Sequence, residues 1–324
     1  MINGMSTRQR LAQLLQVGVR AEDPSDALSV VNAEQVGGLF LAGDATGLLA
    51  SGGLAEVKAA AKLPLTVSVD DEGGRVQRVD ALDGDIPSAR QMAATMGPDQ
   101  VRALAKTRGE ALRARGVTMD LAPVVDTSPQ PDNTVIGDRS FSVDPNVTRQ
   151  YATAFAAGLR DAGVQAVLKH FPGHGNATGD SHLGLVQTPP LDVLRGRDLV
   201  PYRDIGGYGG ITVMVGHLDV PGLTEGQPAT LSPATYRLLR GEFAFTGVAM
   251  TDDLGAMKAV TERADLPQAV LRALAAGADV ALWSSGGRVG EVLDQLEQAS
   301  ASGGLPPERI TESLHRVLRS KAVC

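Results

Sequence analysis

DPNVTRQYATAFAAGLRDAGVQAVLKH, residues 144–170, contains a helix, a strand and a chemical ending in one stretch. Asp144 is a natural helix cap, Pro145 suits the first helical turn, and Gly163 suits the stop. The run AVLKH (166–170) that follows is short and apolar, as a strand buried on both faces should be, and it ends in a lysine and a histidine. An amphipathic helix feeding such a strand is one step of a parallel α/β fold.

The same step recurs along the chain. Eight strand candidates can be read: LLQVGV (14–19), VGGLFL (36–41), LTVSVD (65–70), VTMDLAP (117–123), AVLKH (166–170), ITVMVGH (211–217), VAMTDD (248–253) and DVALW (279–283). RLAQLLQVGV (10–19), which contains the first, also fits a single helix. Helix-like stretches lie between most of them, among them PDQVRALAKTRGEALRARG (98–116) and LPQAVLRALAAGAD (266–279). Eight units predict a closed (β/α)8 TIM barrel rather than an open sheet. No composition break, internal repeat or low-complexity linker divides the chain, so a single barrel domain over residues 1–324 is expected.

Composition narrows the function classes. The chain is 43% hydrophobic and 21% charged, ample for a well-buried core, and its formal net charge is −7. Phosphate backbones need a concentrated positive field, so a nucleic-acid groove is not expected. The one cysteine, Cys324, is the last residue, which leaves no intrachain disulfide and no multi-cysteine metal site. No run approaches the ~18 apolar residues of a membrane span. The start, MINGMSTRQRLAQLL, has no signal-peptide cleavage pattern, so a cytoplasmic location is expected. An exported or lipid-anchored protein is the alternative if an export signal has been removed.

Polar residues collect at the predicted strand ends: Asp70, Lys169 with His170, His217, and Asp252 with Asp253. In a barrel these ends converge on one face, where active sites lie. Any one of them alone is as well explained by a strand end facing water; four such ends together are not.

KHFPGHGNATGDSH (169–182) holds three of the five histidines. A metal site, a proton-transfer loop and a structured turn are all open readings. His170 and His174 have the i, i+4 spacing of helical zinc ligands, but Phe171-Pro172-Gly173 between them makes a helix there improbable. His174, flanked by Gly173 and Gly175, suits a tight structural turn. His182 has Asp180 two residues before it, and an aspartate on one imidazole nitrogen fixes the tautomer and raises the basicity of the other. Glycines 173, 175 and 179 would let such a loop move over a pocket. In GVAMTDDLGAMKAV (247–260), Asp252 is read as facing the pocket and Asp253 as structural, although either carboxylate could cap the next helix.

VDDEGGRVQR (69–78), VIGDRSF (135–141), KHFPGHGNATGDSH (169–182) and AMTDDLGAM (249–257) together resemble glycoside hydrolase family 3, specifically its single-domain β-N-acetylglucosaminidases. The resemblance runs over nearly the whole chain with the motifs in order. SDALSVVNAEQVGGLFL (25–41) and VMVGHLDVPGLT (213–224) are most similar to a branch that includes actinobacterial lipoproteins. The resemblance implies a retaining exo-β-N-acetylglucosaminidase acting on peptidoglycan (muropeptide) fragments. It implies Asp252 as nucleophile, His182 as general acid/base and Asp180 as its partner. It implies Asp70, Arg78, Arg139, Lys169 and His170 as sugar-binding residues, and neither a metal nor an organic cofactor. One position departs from the pattern: Asp71 stands where glutamine is often found. Rival expectations are a phosphorylase using the same covalent intermediate, a sugar-binding protein without catalysis, and a metal-dependent hydrolase.

Overall fold

Short apolar runs bounded by helices give ten strands: β1 (Leu15–Val19), β2 (Gly38–Leu41), β3 (Thr66–Val69), β4 (Met119–Asp120), β5 (Gln165–Phe171), β6 (Val186–Gln187), β7 (Thr212–Val215), β8 (Leu218–Asp219), β9 (Ala249–Thr251) and β10 (Ala281–Trp283). The computed structural model describes residues 4–22, 24–43, 46–177 and 179–323; Cys324 lies outside them. All eight predicted strands form. RLAQLLQVGV divides, with a helix at Thr7–Ala12, capped reciprocally by Ser6 and Gln9, before β1 begins.

Eight strands pair in parallel in the order β10-β1-β2-β3-β4-β5-β7-β9. A parallel bridge between Met250 and Val280 joins the two ends. Hydrogen bonds from Thr251 N–H to the Val280 carbonyl (3.0 Å) and from Leu254 N–H to the Leu282 carbonyl (2.9 Å) secure that closure. The fold is a (β/α)8 barrel. β6 and β8, which the sequence pattern did not disclose, form a separate two-stranded parallel ribbon.

Helix Pro145–Asp161 shows why the helices stay outside. Asp144 accepts the Asn146 N–H at its start, and Ala152, Phe155, Ala156 and Leu159 are buried at i, i+3, i+4, i+7 spacing. That stripe faces the barrel and helix Pro98–Ala114. Burying a phenylalanine is worth about 1.5–3 kcal/mol, and truncating one to alanine costs about 3–5 kcal/mol because the cavity stays open. Phe155→Ala is therefore the single change that most weakens this helix's docking.

At the N-terminal end of β10, buried Asp279 gathers Arg240 (2.6 Å), Arg309 (3.0 Å) and Arg316 (3.1 Å) and ties helices Pro233–Gly241 and Pro307–Ser320 to the barrel. Among the described residues, no helix is long and apolar enough to cross a membrane.

Candidate active site

Strands β3, β5 and β9 run directly into Asp70, Lys169–His170 and Asp252, and all of these line one cavity of about 330 Å³ at the C-terminal mouth of the barrel. Arg78, Arg139 and His182 line it too. The structure thus brings seven of the eight predicted site residues to one cavity. Asp180, the eighth, stands behind His182.

A carboxylate that the sequence reading passed over organises the cationic side. Glu72 accepts two hydrogen bonds from Arg139, Nε to Oε2 and Nη2 to Oε1, each 2.8 Å. Lys169 Nζ lies 2.6 Å from Glu72 Oε1 and 2.6 Å from Asp70 Oδ1. Burial works against the charge on Glu72, but Arg139 and Lys169 outweigh it and hold the carboxyl far below the usual range. Burial likewise opposes the charge on Lys169, and Asp70 and Glu72 more than offset it, raising its pKa. The four groups form a neutral, ionised cluster.

Local sequence explains how Arg78 and Arg139 arrive there. Buried Asp71 accepts the Arg78 N–H at 2.7 Å and faces Arg108 at 3.3 Å. The Glu72 and Gly73 N–H groups bond to the Val76 carbonyl (2.9 and 3.1 Å), closing the 72–76 turn. Asp71 therefore shapes the turn that delivers Arg78. Arg139 ends a 3-10 turn, Gly137–Arg139, which Arg75 holds through Asp138 at 2.7 Å.

Asp126 is the second residue missed. It is buried after β4, and its Oδ2 meets His170 Nδ1 at 2.7 Å while its Oδ1 accepts the His174 N–H at 2.6 Å. Burial opposes its charge, but the facing histidines and the His174 N–H hold its pKa low. The His170 and His174 rings stand edge to face, 5.9 Å between centroids. His174 Nε2 lies 3.2 Å from the Ser181 hydroxyl, which fastens the histidine loop, and burial lowers the pKa of this imidazole. Among the described residues no group of three or more His, Cys, Asp or Glu could hold a metal ion.

Gly173 and Gly175 do not serve as hinges. A Cβ at Gly175 would stand 2.0 Å from the Thr127 carbonyl oxygen, and one at Gly173 would stand 2.5 Å from Asp198 Cβ. They are glycines because the backbone is pressed against its neighbours. Further along, the loop also docks on the helix Lys258–Thr261, the Ala259 N–H donating to the Ser181 carbonyl at 3.3 Å.

At its tip, His182 is exposed, and its Nδ1 lies 2.8 Å from Asp180 Oδ1. The same oxygen accepts the His182 N–H at 2.9 Å. Burial pushes the Asp180 pKa upward, but these bonds outweigh it and keep the carboxylate ionised. A carboxylate can only accept, so Nδ1 carries a proton and Nε2 is left for chemistry.

Asp252 and Asp253 separate by their partners. Asp253 Oδ1 accepts the Gly255 N–H (2.8 Å) and the Ser284 N–H (3.0 Å), and its other oxygen meets the Ser284 hydroxyl. Its carboxylate is consumed by structure. Asp252 accepts the Asp253 N–H at 2.8 Å. Burial would raise the Asp252 pKa, but His170, His217, the Asp253 N–H and Lys169 lower it further, so it is ionised near neutrality.

His217 departs from the strand-end pattern. It is fully buried and does not line the cavity. Its Nε2 donates to the Asp253 carbonyl (2.9 Å) and its Nδ1 faces the Thr230 hydroxyl (2.7 Å). Burial lowers its pKa, so it braces the β9 end as a neutral imidazole.

An ionised carboxylate and a carboxylate-backed imidazole thus share a sugar-sized cavity with a ring of charged donors and acceptors. Residues 6–320 match the glycosyl hydrolase family 3 N terminal domain. The chain belongs to glycosyl hydrolase family 3. Among its relatives, beta-hexosaminidase LpqI of Mycobacterium tuberculosis is 52% identical, the alignment covering 98% of this chain and 83% of the relative. The solved structure of a family 3 glycosyl hydrolase from Mycobacterium smegmatis superposes with a TM-score of 0.95 at 52% identity, covering 99% of this chain and 98% of that one. A family 3 beta-N-acetylglucosaminidase from Paenibacillus sp. superposes with a TM-score of 0.90 at 32% identity, covering 99% of this chain and 63% of that one. The protein is therefore a glycoside hydrolase of family 3.

Proposed function

We propose that this family 3 enzyme is a retaining exo-β-N-acetylglucosaminidase that removes terminal N-acetylglucosamine from peptidoglycan (muropeptide) fragments. The observation that carries this reading is that Asp252 and the Asp180-backed His182 border one cavity. The names of the relatives, beta-hexosaminidase and beta-N-acetylglucosaminidase, support the choice of sugar.

In the first step the Asp252 carboxylate attacks the anomeric carbon as the bond to the leaving oxygen breaks. His182, protonated on both nitrogens, gives its Nε2 proton to that oxygen. In the second step Nε2 takes a proton from water, water attacks the anomeric carbon, and Asp252 is released. Asp180 holds the imidazole in one tautomer and stabilises its cation. One imidazole can thus serve as the acid of the first step and the base of the second.

Asp70, Arg78, Arg139, Lys169 and His170 bind the sugar hydroxyls and amide. Glu72 takes part by aiming Arg139 and Lys169, and Asp126 by aiming His170. Directional charge-assisted bonds of this kind select a sugar's stereochemistry.

Turnover of a panel of aryl β-glycosides, including the glucoside and the N-acetylglucosaminide, tests the sugar. Release of N-acetylglucosamine from purified muropeptides tests the source. A mechanism-based fluorosugar should label Asp252. Preference for the glucoside, or formation of a sugar phosphate when phosphate is supplied, would replace this reading with the phosphorylase.

A further inference from the structure

A second cavity, about 420 Å³, opens at the opposite end of the barrel. Thr66 and Gln165, which begin β3 and β5, line it, whereas the catalytic cavity is reached from the strand ends. Three cations from separate elements surround it: Lys58 from helix Leu54–Ala60, Arg113 from helix Pro98–Ala114, and Lys321 beyond helix Pro307–Ser320. No aspartate or glutamate is among its lining residues.

The partners of these cations are neutral. Lys58 Nζ donates to the Gly116 carbonyl at 3.2 Å. Lys321 Nζ donates to the Gly37 carbonyl at 2.7 Å and to Gln13 Oε1 at 3.2 Å. The Arg113 guanidinium has no hydrogen-bond or ion-pair partner among the described residues. Ammonium and guanidinium groups carry three and five N–H donors, so most of these donors remain uncommitted.

The contrast with Asp279 is informative, because there a buried carboxylate meets every arginine that approaches it. Around this cavity Lys58 and Arg113 oppose one another, burial and then the charge of Arg113 lowering the pKa of Lys58; burial alone brings Lys321 down to about 7, so a bound anion would draw a proton onto it. An adjoining cavity of about 360 Å³ shares Gly163, Gln165 and Ser320 with it and adds Arg160 and Arg319 to the same positive field. In a chain of net charge −7 this concentration of uncompensated charge is out of keeping with the rest of the molecule.

We propose that this N-terminal face of the barrel is a binding site for a small phosphate-type anion. The anion's oxygens accept the spare N–H donors of Lys58, Arg113 and Lys321, and its charge relieves the repulsion between Lys58 and Arg113. The cavity is concave and of small-molecule size, which favours a free phosphate or phosphate monoester. The site is remote from the catalytic mouth, so its occupation affects stability and leaves the chemistry alone.

The test is thermal unfolding of the full chain at pH 7 in rising sodium phosphate, against sodium chloride of matched ionic strength. Wild type should show a saturable rise in Tm with phosphate beyond that with chloride. In the Lys58→Met/Arg113→Gln double variant the apparent Kd should weaken at least about tenfold, given that each lost charged hydrogen bond is worth about that factor or more. Its Tm without phosphate should be no lower than wild type, since repulsion has been removed, and its glycosidase turnover should be unchanged. If the double variant does not fold, Arg113→Gln alone carries the test, because that guanidinium bonds to nothing described. A phosphate response equal to that of chloride, or an identical saturation curve in the variant, would overturn the proposal.

Discussion

Glu72→Gln removes one negative charge from the buried cluster and leaves every atom position filled. Wild type balances Asp70 and Glu72 against Lys169 and Arg139. The variant leaves a net positive charge in a site where Lys169 is buried and Arg139 is largely buried. Three contacts of 2.6–2.8 Å end on the two Glu72 oxygens. A glutamine has one acceptor oxygen, and its NH2 group would face the donors of Arg139 or Lys169. Removing one partner of a buried ion pair costs about 3–5 kcal/mol, and the retained acceptor places this case near about 3 kcal/mol at pH 7.

The pH dependence has a definite sign. Glu72 has a depressed pKa in the folded state, so its stabilisation is fully present above the ordinary glutamate value of 4.5 and is lost as pH falls below it toward the folded value. At pH 3.5 the unfolded glutamate is mostly protonated while the folded one is still ionised, and the gap between wild type and variant should narrow by about 1.4 kcal/mol. Urea unfolding at pH 7 and pH 3.5 measures both quantities. A loss below about 1 kcal/mol at pH 7, or a gap that widens on acidification, would refute the argument that Glu72 neutralises this cluster.

Other perturbations separate the remaining roles. Asp252→Ala should abolish turnover with the fold retained, because the barrel pairs through the Asp252 backbone N–H (3.0 Å to the Val215 carbonyl) and the carboxylate accepts only the neighbouring Asp253 N–H; circular dichroism beside the rate measurement checks both. His182→Ala should lose far more rate on disaccharide-like substrates than on nitrophenyl glycosides, with azide restoring turnover on the latter. An equal loss on all leaving groups would make His182 a loop anchor instead. Arg78→Ala should weaken N-acetylglucosamine binding by about 1.5–3 kcal/mol in a calorimetric titration, and wild-type affinity would remove it from the sugar site. Gly175→Ala should cost about 1–3 kcal/mol of stability, because its Cβ would collide with the Thr127 carbonyl. A hinge role would instead leave the unfolding midpoint unchanged and alter turnover.

The order of elements and the face that carries chemistry are local properties of the chain. A continuous apolar run ending in Asp70, Lys169–His170 or Asp252 encodes strand, burial and exit in consecutive residues, so all eight strands and these four cavity-lining residues could be read locally, whereas Arg78 and Arg139 came only with the family resemblance. The capping of helix Pro145–Asp161 by Asp144 was legible for the same reason. Other features depend on partners distant in the chain. Glu72 matters because Lys169 comes to it from β5 and Arg139 from the 3-10 turn Gly137–Arg139, 67 residues away. Asp126 lies 44 residues from His170, and nothing local distinguishes it from a solvated loop aspartate. His217 has the same strand-end signature as Lys169, yet it turns away from the cavity to brace the Asp253 carbonyl. Gly173 and Gly175 look like mobility in a sequence and are close packing in space, because what excludes a side chain is Asp198 or Thr127 and not a neighbour in the chain. Strand exits are set by periodicity within a few residues; charge balance and steric exclusion are set by which elements meet, and that is known only once the barrel closes.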